Sequence, residues 1–86
     1  MPKYKVRITR SAEKQLARLP AEDQRRVAMA MVALGAEPRP HGVRKLAGVE
    51  AAYRIRVGQY RIIYEIDDGA VLVLVLKIGN RKEVYK

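Results

Sequence analysis

Between Tyr53 and Ile66 the chain alternates apolar and charged residues, breaks at Gly58-Gln59, and alternates again. Tyr53, Ile55 and Val57, then Tyr60, Ile62, Tyr64 and Ile66, are apolar or aromatic, while Arg54, Arg56 and Arg61 fall on intervening positions. Strand side chains point to opposite faces with period two, so this segment can bury one face and leave the other cationic. A two-residue loop at Gly58-Gln59 predicts a hairpin in which Val57 pairs with Tyr60, Arg56 with Arg61 and Arg54 with Ile63. Three guanidinium groups then crowd one patch of sheet. Like charges opposite one another weaken strand pairing, so stability gives no reason to gather them. Binding of a polyanion does.

The flanking segments supply what such a hairpin needs to fold. Lys3 to Thr9 alternates with Tyr4, Val6 and Ile8 on one side, a half-buried strand. Thr9 or Ser11 can cap a short helix with Ala12, Leu16 and Leu19 on its inner face. Pro20, followed by Glu22 and Asp23, starts a second helix that runs to about Leu34, with Val27, Ala30, Met31 and Leu34 inside, Arg25 and Arg26 outside, and Gly35 as its stop. Glu37-Pro38-Arg39-Pro40-His41-Gly42 is a loop, and Val43 to Leu46 is a short strand. Asp67-Asp68-Gly69 marks a second hairpin; Val71 to Ile78, apolar apart from Lys77, reads as a central strand; Gly79-Asn80 turns the chain into a last short strand or tail. The expected fold is α+β, in the order β-α-α-β-β-β(-β), as one domain over residues 1–86. A helical hairpin covers one face of a small, mainly antiparallel twisted sheet, and the arginines occupy the other.

Charge narrows the partners. The chain carries 18 Lys and Arg against 9 Asp and Glu, a formal charge of +9 spread over its whole length. The positive field therefore belongs to the folded body, which suits nucleic acid, an anionic membrane or an acidic protein. There is no Cys, so neither disulfides nor thiolate metal sites can form. The longest apolar run, Ala70 to Leu76, is too short to span a bilayer, and the first residues do not read as a signal peptide, so a cytoplasmic location is expected. No helix pairs a broad apolar face with a basic one, which argues against membrane attachment.

Most catalytic constellations are missing. One His, no Cys, and two Ser/Thr beside the first helix cap exclude Ser-His-Asp and Cys-His chemistry in recognisable form. No carboxylate and histidine spacing fits a metal, and no glycine-rich phosphate loop is present; neither metal nor cofactor is expected. Asp67-Asp68 reads as a turn, and His41 as an exposed loop residue. What remains is Arg54, Arg56, Arg61, Arg81 and Tyr85. Guanidinium groups grip phosphate bidentately and can stabilise the added charge of a pentavalent phosphate. Arg81, Glu83 and Tyr85 share parity, and Tyr85 is the obvious acid/base group near such a cluster. Arg61 and Arg81 are expected to face solvent.

Several segments together resemble the RelE/ParE superfamily of bacterial and archaeal toxins, specifically its RelE branch. They are Ile8-Thr9-Arg10-Ser11-Ala12-Glu13-Lys14-Gln15-Leu16 with Leu19-Pro20, Lys45-Leu46-Ala47-Gly48, the stretch from Tyr53 to Ile66, and Ile78-Gly79-Asn80-Arg81-Lys82-Glu83-Val84-Tyr85. The resemblance implies a metal-independent endoribonuclease that cleaves messenger RNA in the ribosomal A site through attack of a 2′-hydroxyl on the adjacent phosphate. It implies Arg56, Arg61, Arg81 and Tyr85 as catalytic residues and Arg54 as an RNA-binding one; Lys82, Arg44 and Lys45 are further RNA-binding candidates. Arg56 and Arg61 would contact the phosphate, Arg54 orient the RNA, Arg81 support the leaving group, and Tyr85 activate the hydroxyl or stack on a base. Many members carry His where this chain has Asn80, and some carry Lys at the positions of Arg54 and Arg56; Glu83 is a further acid/base candidate. The family also implies a cognate antitoxin that blocks the site, with a heterotetramer as one assembly. Two alternatives share these features in part: a ParE-like inhibitor of DNA gyrase, and a module that occupies the ribosome without cutting. The arginine cluster with Arg81 and Tyr85 argues against the gyrase reading.

Overall fold

The computed structural model describes residues 3–46 and 52–80. In chain order the elements are β1 (Lys5–Ile8), α1 (Arg10–Ala17), α2 (Ala21–Ala36), β2 (Arg44–Lys45), β3 (Ala52–Val57), β4 (Tyr60–Asp67) and β5 (Leu72–Asn80). The strands form one sheet in the order β1-β5-β4-β3-β2, with β1 parallel to β5 and every other pair antiparallel. The expected α+β architecture is the observed one. Both helices cover one face, and the core between the layers is Ala12, Val27 and Leu34 against Ile62, Tyr64, Ile66, Val73, Val75 and Ile78. No helix among the described residues is long and apolar enough to cross a membrane.

The hairpin register is as the alternation predicts: Val57 opposite Tyr60, Arg56 opposite Arg61, Arg54 opposite Ile63. Strand β5 is less regular. Tyr64 stands opposite Val75, but Ile63 stands opposite Lys77, so Leu76 is the extra residue of a bulge. Simple alternation after Val73 and Val75 would turn Lys77 into the core; the bulge turns Ile78 there instead. Side chains from the first helical turns support the irregularity. Thr9 Oγ1 donates to the Leu76 carbonyl at 3.0 Å, and Gln15 Oε1 accepts from the Ile78 amide at 2.7 Å. Thr9 also caps α1, its Oγ1 accepting from the Ala12 amide at 3.1 Å.

Three sequence-based boundaries shift. Gly35 does not end α2; it lies inside the helix, buried against β1. A Cβ there would sit 2.9 Å from the Tyr4 carbonyl oxygen and 3.2 Å from Val6 Cγ2, so this glycine permits close approach rather than termination. Gly79-Asn80 is not a turn, because both residues continue β5 and pair with Arg61 and Tyr60. The β4–β5 connection is longer than a tight Asp-Gly turn. Asp67 pairs with Leu72, Asp67 Oδ1 accepts from the Ala70 amide, and the left-handed position falls on Val71 (φ 53°) instead of Gly69. The Val71 carbonyl accepts from the Lys5 amide at 2.9 Å, which anchors the start of β1.

Candidate nucleic-acid interface

On the sheet face away from the helices, Arg44, Arg54, Arg56 and Arg61 line one cavity of about 280 Å³ with Gly42. The register explains the convergence. Arg56 stands opposite Arg61 across β3 and β4, and Arg44 stands opposite Arg54 across β2 and β3. Directly opposed residues share a face, and their Cβ atoms lie about 4.5–5.5 Å apart. The short strand β2 thus adds a fourth guanidinium to the three that the hairpin gathers.

The four are not equally accessible. Arg44 and Arg56 are exposed, Arg54 is half-buried, and Arg61 is only 6% exposed. The expectation that Arg61 faces solvent is therefore corrected. It sits on the central strand β4, flanked by β3 and β5, and its burial reaches the guanidinium Nε, whereas Arg56 and Arg44 lie nearer the sheet edge. The result is a cationic floor with a cationic rim. Guanidinium groups stay charged at any working pH and present donors in a planar fork, so this cavity suits a phosphate or another oxyanion.

Lys45 is not part of this group. Its partner across the strands is Tyr53, whose ring packs on the core side, so Lys45 belongs to the opposite parity from Arg44. Arg81, Lys82, Glu83 and Tyr85 lie outside the described residues. Asn80 closes β5 opposite Tyr60. Among the described residues, no group of three or more His, Asp or Glu side chains is placed to hold a metal ion.

The loop that delivers Gly42 is fixed by side chains that carry no such signal in the sequence. Tyr64, fully buried, donates its hydroxyl to the Pro38 carbonyl at 2.7 Å. Burial, with Tyr53 close by, pushes the Tyr64 phenol up to about 12. The Tyr53 and Tyr64 rings stack with centroids 6.0 Å apart, and the Arg39 guanidinium lies 5.3 Å from the Tyr53 centroid. Arg39 also donates to both carboxylate oxygens of Asp68, at 3.3 and 2.9 Å, while the Tyr4 hydroxyl donates to Asp68 Oδ1 at 2.6 Å. Those two donors hold the Asp68 carboxyl below its ordinary range, Arg39 contributing most, and Asp68 in turn raises Tyr4. Elsewhere the Tyr60 hydroxyl donates to Asp23 Oδ2 at 2.9 Å, which ties the β3–β4 hairpin to the first turn of α2 and raises the phenol.

Gly42 and Arg56 also border a second cavity, of about 390 Å³, on the helix side of β3. Sequence reasoning found neither that cavity nor the role of Gly42. The one available hint was the pairing of Pro38 and Pro40 with His41-Gly42, a stiff loop ending in a residue free to turn.

Comparison with known proteins is consistent with this geometry. A family model described as ParE toxin of type II toxin–antitoxin system, parDE, matches residues 6–85. Toxin RelG of Mycobacterium tuberculosis is 36% identical over 91 residues, spanning 96% of this chain and 97% of that protein. Toxin RelE of the same organism is 34% identical, spanning 96% of this chain and 87% of its own length. Among solved structures, the archaeal RelE–RelB complex from Pyrococcus horikoshii superposes with a TM-score of 0.83 at 32% identity, covering 94% of this chain and 98% of that one. The isolated RelE toxin of E. coli superposes at 0.79 with 28% identity, covering 95% and 90%.

Proposed function

The chain belongs to the toxin family of type II toxin–antitoxin systems, in its RelE branch, and from that premise we propose that it is an endoribonuclease that cuts messenger RNA in the ribosomal A site. The observation that carries the reading is the convergence of Arg44, Arg54, Arg56 and Arg61 on one cavity of the helix-free face. A protein that only had to fold would not set guanidinium groups opposite one another twice.

The chemistry follows from what these groups offer. An RNA strand supplies its own nucleophile, the 2′-hydroxyl beside each phosphate. Attack on phosphorus forms a new P–O bond, breaks the bond to the 5′-oxygen of the next nucleotide, and leaves a 2′,3′-cyclic phosphate and a 5′-hydroxyl. The protein must bend the backbone toward in-line geometry and stabilise the extra charge on the phosphate. Arg56 and Arg61 make the phosphate contacts, with Arg54 and Arg44 orienting the strand. Arg81 supports the departing oxygen, which takes its proton from water, and Tyr85 as phenolate takes the 2′-hydroxyl proton, with Lys82 adding positive charge toward the RNA. Lys45, on the other parity, takes no part in these phosphate contacts.

RelE is solved with RelB in the Pyrococcus horikoshii and other complexes. By extension this toxin is held silent by a cognate antitoxin, whose acidic segment would neutralise the cavity. The site of action is the cytoplasm, where ribosomes are.

The test is to incubate the purified chain with programmed ribosomes and map message ends. Wild-type protein is expected to cut within the A-site codon, and Arg56→Ala to cut about a hundredfold more slowly or worse. Intact message with stalled translation would identify a non-cleaving ribosome ligand instead. Because the matching family model is named for ParE, a gyrase supercoiling assay is run beside it; inhibition there with intact message would move the chain to that branch.

A further inference from the structure

The cationic cavity is not isolated. It shares Gly42 and Arg56 with the cavity of about 390 Å³ on the other side of β3. The two meet where β2 has ended: that strand pairs only with Tyr53 and Arg54, so from Ile55 to Val57 the outer edge of β3 carries no strand among the described residues. Gly42 forms the saddle between them. Its φ is 90°, and a Cβ placed there would meet nothing within 4 Å, so the residue on their shared border carries no side chain and has open space beside its Cα.

The second cavity has a different character from the first. Its walls are Ala30, Ala33 and Leu34 of α2 facing Ile55 and Val57 of β3, with Pro40 at one end. Small residues at 30 and 33 keep α2 from sealing against β3. At the mouth stand three polar side chains, Glu37, His41 and Arg56. Glu37 and His41 are exposed. A volume of this size lies at the lower end of the range, about 300–1,000 Å³, typical of small-molecule sites.

From this arrangement we infer that the groove is a nucleobase subsite: it receives one unpaired base of the RNA whose phosphate lies on the arginines. The inference rests on the nuclease reading above and adds to it a determinant of sequence preference. A largely apolar groove that shares Gly42 and Arg56 with an arginine-lined cavity matches the division of a nucleotide, with charge at one end and a ring at the other. Unpaired bases are read by stacking and by hydrogen bonds to their edges. Here Pro40 and the His41 ring offer stacking surfaces, and the Glu37 carboxylate is an acceptor. An acceptor-only carboxylate favours adenine, cytosine and guanine, whose exocyclic amino groups project two donors, over uracil, whose one edge donor, N3–H, lies between two carbonyl acceptors that repel a carboxylate. A continuous groove with a cationic rim also admits an acidic peptide, but its union with the phosphate cavity at Gly42 and Arg56 favours the nucleotide.

The experiment uses programmed ribosomes carrying a set of A-site codons that differ at one base at a time. Wild-type chain is expected to disfavour uracil at one codon position by about tenfold. Ala33→Leu fills the slot and should flatten that preference while slowing cleavage of the favoured codons by about tenfold. Its urea midpoint should equal or exceed that of wild type, since leucine there extends the existing apolar wall. Glu37→Gln, an exposed substitution, should relax discrimination against uracil because an amide can donate as well as accept. Wild-type rates and preferences in both variants would overturn the subsite while leaving the nuclease standing. Failure of the wild-type chain to cut any codon would bring down both. Unchanged cleavage by Ala33→Leu together with weakened capture of the antitoxin peptide would give the groove to the antitoxin and likewise overturn the inference.

Discussion

Replacing Tyr64 by Phe removes one oxygen from a ring that is otherwise unmoved, and the structure specifies what is lost. The ring is fully buried, and its hydroxyl donates to the carbonyl of Pro38, itself buried, at 2.7 Å. In Tyr64→Phe that carbonyl loses its donor inside the fold, a change that costs about 1–3 kcal/mol. The stacking on Tyr53 and the packing against the helices are retained, so we expect a loss near 2 kcal/mol. In a domain of this size each kcal/mol moves the melting temperature by about 4–8 °C, which puts the expected drop at roughly 8–16 °C. The same hydroxyl sets a pH dependence. Folding raises the phenol from its ordinary value near 10 to about 12, so the native state holds the proton more tightly than the unfolded chain. That contribution is fully present below pH ~10 and disappears as pH rises through about 12. Urea unfolding at pH 7 and across the alkaline window reads both effects. Wild type should lose stability more steeply than Tyr64→Phe between about pH 10 and 12, by up to one proton. A variant within about 0.5 kcal/mol of wild type at pH 7, or parallel alkaline slopes, would refute the reasoning. Because Pro38 leads into Gly42, cleavage by Tyr64→Phe should also fall, though far less than for Arg56→Ala.

Gly35→Ala sets two effects against each other: a gain of about 1 kcal/mol in helix propensity and a clash at 2.9 Å with the Tyr4 carbonyl oxygen and 3.2 Å with Val6 Cγ2. Overpacking costs about 1–3 kcal/mol, and the 2.7 Å bond from the Tyr4 amide to the Gly35 carbonyl must stretch as well; urea unfolding should show a net loss, and a more stable variant would disprove the close approach. Arg56→Ala should leave the urea midpoint almost unchanged, since the side chain is exposed. It should also lower the slope of log affinity for single-stranded RNA against log salt by about 0.7, the share of one phosphate contact; an unchanged slope would remove Arg56 from the phosphate.

The hairpin was legible because period-two alternation is a local property and a two-residue loop fixes register without help from the rest of the chain. From that register alone, Arg56 and Arg61 had to be neighbours. The contribution of Arg44 depends on which strand covers the edge of β3, and the sequence of so short a strand states neither its partner nor its phase. Lys45 shows the same gap, because adjacent residues on a strand take opposite faces and only the pairing with Tyr53 decides which. The burial of Arg61 follows from its strand being central, a property of strand order rather than of local pattern. Gly35 illustrates a different ambiguity: a glycine near a helix end reads as a stop, yet a glycine under a neighbouring strand carries the same letter.

Strand β5 shows most directly how the core and the site depend on each other. Val73 and Val75 define its buried parity, and a run apolar on both faces gives no cue that the parity changes. Continued without interruption, the pairing would set Ile62 opposite Lys77 and Arg61 opposite Ile78. A lysine would then face the core, and an isoleucine would stand on the open face beside the arginine at the cavity floor. With Leu76 bulged, Ile62 meets Ile78 and Arg61 meets Gly79. One inserted residue thus keeps an ammonium group out of the core and places glycine, with no side chain to obstruct, across from Arg61. Thr9 and Gln15 are the residues that hold the strand in that phase. Both lie at the start of the chain, on the helix side of the sheet, so the shape of the cationic cavity is set partly by residues that never reach it.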